Sequence, residues 1–138
     1  MIAYELDDEN ADRARSLAIG TLGERGVKGH LAERLAAGWV RNGDYLFDAM
    51  SIEADFVIGN PPYVRLEDIP DEIAIVYRKT YSTMRGRADL YSAFFEAALR
   101  QLKDGGVCAF ICADRWMRNQ YGAELREFVT SNYGVEVV

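Results

Sequence analysis

The chain has 138 residues, 49% of them hydrophobic, and its 16 basic and 22 acidic side chains leave a formal charge of −6. That suits one core of ordinary size and gives no overall attraction to a phosphate backbone. The longest apolar run, Gly106 to Ala113, falls far short of the ~18 residues of a membrane-spanning helix, and no basic-then-apolar leader follows Met1, so a soluble, cytoplasmic protein without a membrane partner is expected.

In chain order, "MIAYEL" reads as a short strand ending in an acid. "DENADRARSLAI" has helical spacing, with Ala11, Ala14, Leu17 and Ala18 on one side and an acidic first turn. Gly20, Gly23, Gly26 and Gly29 predict a loop, followed by a short helix through "HLAERLAA" stopped at Gly38. "WVRNGDYLF" reads as a short strand closing at Asn42-Gly43-Asp44, and "ADFVIGN" as a continuous apolar strand of the kind buried on both faces in a parallel sheet. A polar and aromatic segment follows from Val64 to Arg87, with one helix expected over Asp71 to Tyr81.

"ADLYSAFFEAALRQLK" is the strongest helix, with Leu90, Phe94, Ala97, Ala98 and Leu102 on one stripe and a turn at Asp104-Gly105-Gly106 after it. "VCAFICA" is the next buried strand, "AELREFVTSN" the next helix and "VEVV" the start of another strand. Strands alternating with helices predict an α/β fold of the Rossmann-like kind: one domain with a parallel sheet and helices on both faces. Cys108 and Cys112 lie four apart with His30 distant, which leaves no visible metal-ligand set and points to buried thiols. Between Tyr77 and Ala88 the charge balance reverses: Arg78, Lys79, Arg85 and Arg87 stand without an acid, as a solvated loop or as a phosphate-contacting surface.

Ligands of open parallel sheets collect at the carboxyl ends of the strands, where Glu5, Asp44 and Asn60 are expected on one rim. An acid there is placed to accept from ribose hydroxyls or from an adenine amino group, although a plain surface acid has the same sequence. Asn60-Pro61-Pro62-Tyr63 is more particular, because two prolines give up two backbone donors and fix two φ angles beside an amide. The Asn60 amide and the Pro61 carbonyl form an acceptor pair that would bind an amino group in a more tetrahedral form, freeing its lone pair, while Tyr63 offers a flat face to a ring. A simple turn after a strand is the other reading.

"NPPY" after an apolar strand resembles the signature of the amino-methyltransferases that use S-adenosyl-L-methionine. "YELD", "NGDYL" and "ADLYSAFFEAALRQLKDGGVCAFICADRWM" extend the likeness to adenine-specific (N6) DNA methyltransferases of restriction-modification and phage-defence systems, from about Tyr4 onward. The resemblance implies that Glu5 holds the cofactor ribose and Asp44 its adenine amino group, with Asn60 also on the cofactor side. It makes Asn60, Pro61, Pro62 and Tyr63 the catalytic motif acting on an adenine flipped out of double-stranded DNA, and puts Arg115 and Trp116 in a loop facing the substrate, with core packing the somewhat favoured role for Trp116.

The family's first strand and glycine-rich loop, which precede "YELD", are expected to be absent, as are its later base-closing loop and target-recognition domain. An incomplete sheet and a fragment inactive by itself follow. Without the central strand the sheet is expected to leave a gap, to join its halves directly, or to pair its free edges with a second copy. Methylation of a protein glutamine, and a non-catalytic remnant of the fold, are the alternatives to DNA methylation.

Overall fold

The computed structural model describes residues 1–86 and 88–136. They fall into two compact units, Met1–Ala49 and Met50–Val138.

The first unit runs β1 (Ala3–Glu5), α1 (Asp8–Glu24), α2 (Gly29–Trp39), β2 (Val40–Asn42) and α3 (Tyr45–Asp48). The crossover makes β1 and β2 parallel, with Ala3 opposite Val40 and Glu5 opposite Asn42. Asp7 starts α1 by accepting from the Asn10 amide at 2.9 Å. The helix then passes through Gly20 and Gly23, where a loop was expected, and the loop shrinks to residues 25–28. A glycine inside a helix costs about 1 kcal/mol relative to alanine, whereas a stop needs a residue that adopts positive φ. Gly26 supplies it, at φ 80°, with its N–H donating to the Gly23 carbonyl at 2.9 Å and the next N–H, of Val27, to the Leu22 carbonyl at 3.0 Å. Gly38 likewise lies within α2 instead of ending it. Ala11, Ala32 and Ala36 are buried where α1 and α2 meet, and the Arg15 guanidinium reaches the Val40 carbonyl at 3.0 Å. Further along the predicted stripe Leu17 is 67% exposed, because neither α2 nor β2 covers it.

The second unit runs β3 (Ala54–Gly59), a 3-10 turn (Leu66–Asp68), α4 (Asp71–Thr80), α5 (Tyr91–Arg100), β4 (Leu102–Phe110), α6 (Arg115–Arg118), a second 3-10 turn (Gln120–Gly122) and α7 (Ala123–Asn132). β3 and β4 are parallel, with Phe56 opposite Val107, Val57 opposite Cys108 and Gly59 opposite Phe110. The turn expected at Asp104-Gly105-Gly106 is a bulge inside β4: the register jumps from Ala54 opposite Leu102 to Phe56 opposite Val107. Gly106 fits there because a β-carbon would press on the Lys103, Ala54 and Asp55 carbonyl oxygens at 3.0–3.2 Å.

One face of this sheet carries the core. Tyr91 and Leu99 of α5, Trp116 of α6 and Leu125 and Val129 of α7 form a buried cluster, with Phe95, Cys108 and Cys112 packed against it. The opposite face is bare, with Phe56 74% and Ile58 80% exposed beside Val107 and Ile111, so the expectation of a strand buried on both faces fails. Its apolar run is continuous, yet α5 and α7 cover a single side.

The described strands thus form two two-stranded parallel sheets, one in each unit. Val135 and Glu136 are not in a strand, and Val137 and Val138 of the predicted last strand lie outside the described residues, as does Arg87. No described helix is long and apolar enough to cross a membrane.

Both cysteines are free and half-buried. Burial pushes the Cys108 thiol up to about 11, with Cys112 adding to the rise. An unfolded thiol ionises first as pH climbs from 9, so the unfolded state there holds fewer protons and folding stability is expected to fall between pH 9 and 11. Urea titrations across that range check this, and a Cys108→Ser variant should show a flatter dependence.

Candidate active site at the carboxyl ends of the strands

In the first unit, neighbouring parallel strands deliver Glu5 and Asp44 to one rim. Glu5 ends β1, its backbone carbonyl accepts from the Gly43 N–H at 3.0 Å, and the Asn42 side-chain amide donates to the same carbonyl at 3.2 Å. Its carboxylate accepts from the Asp7 N–H at 3.0 Å through Oε1. Asp44 follows β2 and caps α3, taking the Leu46 N–H at 2.9 Å. Each acid therefore has a structural task, and each, with two oxygens and about four lone-pair sites, keeps capacity to accept more. Tyr45, beside Asp44, sets its ring 6.2 Å from that of Tyr4.

In the second unit the polar motif leaves the end of β3. Asn60 is exposed and, among the described residues, its amide is spent on no hydrogen bond, while Pro61 is buried and Pro62 half-buried. The rigid dipeptide is thus anchored and the amide is not. Tyr63 is 56% exposed, but its hydroxyl accepts the Ala113 N–H at 2.9 Å and its ring lies 6.3 Å from Tyr91. Beyond it the Val64 carbonyl accepts the Leu90 N–H at 2.9 Å and Arg65 bridges to Asp89, so the motif is held between the ends of β4 and the start of α5. Asp89 contributes to α5 through its backbone carbonyl, which takes the Ser92 N–H at 3.0 Å; no side-chain cap is made.

Burial, with Asp89 adding, raises the Tyr91 phenol above its usual range. Arg115 is exposed at the start of α6, whereas Trp116 is 9% exposed and packs 5.5 Å from Phe95 in the core. Among the described residues no group of three or more His, Cys, Asp or Glu side chains is disposed to hold a metal ion.

The Tyr63 to Ala113 tether has no signal in the sequence, since it joins residues 50 apart. Tyr63→Phe is expected to keep the ring in place, speed amide hydrogen exchange at Ala113 and cost about 1 kcal/mol or less. Exchange measured by NMR checks it; an unchanged Ala113 would show the tether to be idle.

Within each unit the paired strands are parallel and an acid or an amide stands at a strand's carboxyl end, as in the class of α/β folds that bind ligands there. More specifically, residues 33–138 match the Eco57I restriction-modification methylase family, and the chain belongs to that family. It is 41% identical over 135 residues to the Type II methyltransferase M.PaeR7I of Pseudomonas aeruginosa, covering 98% of this chain and 24% of that protein. It is 41% identical over 133 residues to M.XhoI of Xanthomonas vasicola, covering 96% of this chain and 24% of that one, and 44% identical over 104 residues to M.BstVI of Geobacillus stearothermophilus, covering 72% and 18%. The chain spans about a quarter or less of the length of these curated relatives.

Proposed function

We propose that this chain is part of the catalytic domain of an adenine-specific DNA methyltransferase, with both units belonging to one Rossmann-like, S-adenosylmethionine-dependent domain that works in the cytoplasm on double-stranded DNA. The observation that carries the reading is the Asn60 amide, exposed and unspent at the end of β3 beside a rigid Pro61-Pro62 and a tethered Tyr63. In this reading Asn60 and the Pro61 carbonyl accept from the exocyclic amine of a flipped adenine, Pro62 fixes the carbonyl's direction and Tyr63 stacks on the base. Arg115 stands exposed after β4 for the substrate, and Trp116 supports that loop from the core.

The residues fit the nucleoside part of S-adenosyl-L-methionine: Glu5 is suited to ribose hydroxyls and Asp44 to an adenine amino group, both needing acceptors. When bound, that cofactor supplies an electrophilic methyl group. No described residue is assigned to its methionine part, and the free chain is expected to be inactive. Among the described residues β3 and β4 each pair on one side only, and the reading includes association of free chains through those edges. Light scattering from a monodisperse monomer would count against that last element.

The test is a chimera in which this chain replaces the matching 135 residues of the Pseudomonas aeruginosa relative. Tritiated methyl is expected to pass from the cofactor to duplex DNA and, after digestion to nucleosides, to be found on the adenine amino group. A chimera that folds by circular dichroism yet labels another base, a protein glutamine or nothing overturns the proposal.

A further inference from the structure

We infer that Glu96 is a positioning residue that fixes the loop of residues 81–86, so that Arg85 meets a DNA phosphate next to the target nucleotide; this rests on the DNA-methyltransferase reading. Glu96 lies in the middle of α5 and is fully buried. Its Oε1 accepts from the Ser82 N–H and the Ser82 hydroxyl, both at 3.0 Å, and its Oε2 from the Thr83 N–H at 2.7 Å. Arg100, one turn on, pairs with the same carboxylate. A carboxylate removed from water is costly unless its lone pairs are filled, and a smaller apolar side chain would serve packing alone. What a carboxylate adds is the capture of two consecutive backbone amides, which sets the course of the loop.

The same loop is fastened from other sides. The Thr83 hydroxyl donates to the Ser92 carbonyl at 3.1 Å, and Arg100 reaches the Thr80 carbonyl at 3.1 Å. Arg78 of α4 donates to the Met84 carbonyl at 3.3 Å and to the Gly86 carbonyl at 3.0 Å. Tyr81, Thr83 and Met84 are almost fully buried.

These contacts sort the basic stretch by task. Arg78, exposed, is spent as a fastener on the Met84 and Gly86 carbonyls. Arg85, between buried Met84 and Gly86 at φ 62°, points outward with its side chain 73% exposed. Its ion-pair partner is Glu124 at 3.9 Å, an exposed pair of the kind that contributes little and yields readily to a phosphate. The chain leaving the loop rejoins the motif directly, through Leu90 to Val64 and Asp89 to Arg65, immediately after Tyr63. A guanidinium on a loop ordered in advance, fastened to the segment that presents the amine-gripping residues, suits the backbone of the strand carrying the extruded base.

The experiment titrates a short fluorescein-labelled duplex with the 138-residue chain over a salt series, by anisotropy. Arg85→Ala is expected to weaken binding about threefold to tenfold and to lower the slope of log affinity against log salt by about one. Glu96→Gln should weaken binding to a similar extent and speed amide exchange at Ser82 and Thr83, and the double variant should bind no worse than Arg85→Ala alone, because both changes act through one contact. Arg13→Ala, on exposed α1, should leave the slope unchanged. The inference is overturned by an unchanged slope in Arg85→Ala, by an equal loss in Arg13→Ala, by additive losses in the double variant, or by no binding of the parent chain at the lowest salt. Those results leave methyl transfer by the chimera standing, whereas an inactive chimera with the loop results intact points to a DNA-binding protein that is not a methyltransferase.

Discussion

Asn60→Ala in the chimera is expected to lower methyl transfer to duplex DNA by at least a factor on the order of 10² to 10³, the range seen when one preorganised group at a reacting centre is removed. The nitrogen to be methylated begins with its lone pair drawn into the adenine ring and is a poor nucleophile. Two acceptors converging on its N–H bonds favour the tetrahedral nitrogen that forms as the lone pair turns to bond, so their effect is larger in the transition state than in the ground state. Pro61 and Pro62 lend the carbonyl a fixed direction, and the exposed amide of Asn60 has no competing partner among the described residues. The loss should therefore appear in kcat, with cofactor affinity measured by calorimetry nearly unchanged. A matching loss of cofactor binding would mean that Asn60 serves the cofactor and not the target amine.

Glu96→Ala is expected to destabilise the chain by roughly 3 kcal/mol, a large part of the 5–15 kcal/mol typical of a domain, and to lower Tm on the order of 10 °C. The cost does not come from Arg100, which is half-exposed and rehydrates. It comes from the Ser82 and Thr83 amides, each losing its acceptor in a part-buried or buried setting at about 1–3 kcal/mol apiece. Glu96→Gln should cost less, since an amide oxygen still accepts one of them. Thermal and urea unfolding of the three proteins give the comparison, and a change below 1 kcal/mol for Glu96→Ala would show that the loop holds without it.

Several elements are legible in the sequence alone. Asp71 to Thr80, Tyr91 to Arg100 and Ala123 to Asn132 are helices where apolar spacing predicts them, although Leu102 and Lys103, read as the end of the second, stand in β4; the strand before Asn60 ends just ahead of the prolines. The glycines misled in both directions. Gly20, Gly23 and Gly38 sit inside helices, since composition does not reveal which glycine must take positive φ, and Gly105 and Gly106 make a bulge within a strand instead of a turn before it. Nor did the run "ADFVIG" reveal that one of its faces would go uncovered, since burial depends on what packs there and not on the strand itself.

For the candidate site, local pattern located Glu5, Asp44, Asn60 and Tyr63 at strand ends and carried the family likeness that residues 33–138 bear out. The sequence by itself determined which residue types stand at those ends and the alternation that makes the paired strands parallel, because both are set by neighbours within a few positions. Tertiary structure alone decided that Glu96 would close on Ser82 and Thr83, that Tyr63 would be tethered to Ala113 and that Arg78 would be spent on the loop carbonyls while the exposed Arg85 pairs with Glu124. Those outcomes pair distant donors with acceptors through strand register and helix placement, which no local spacing encodes.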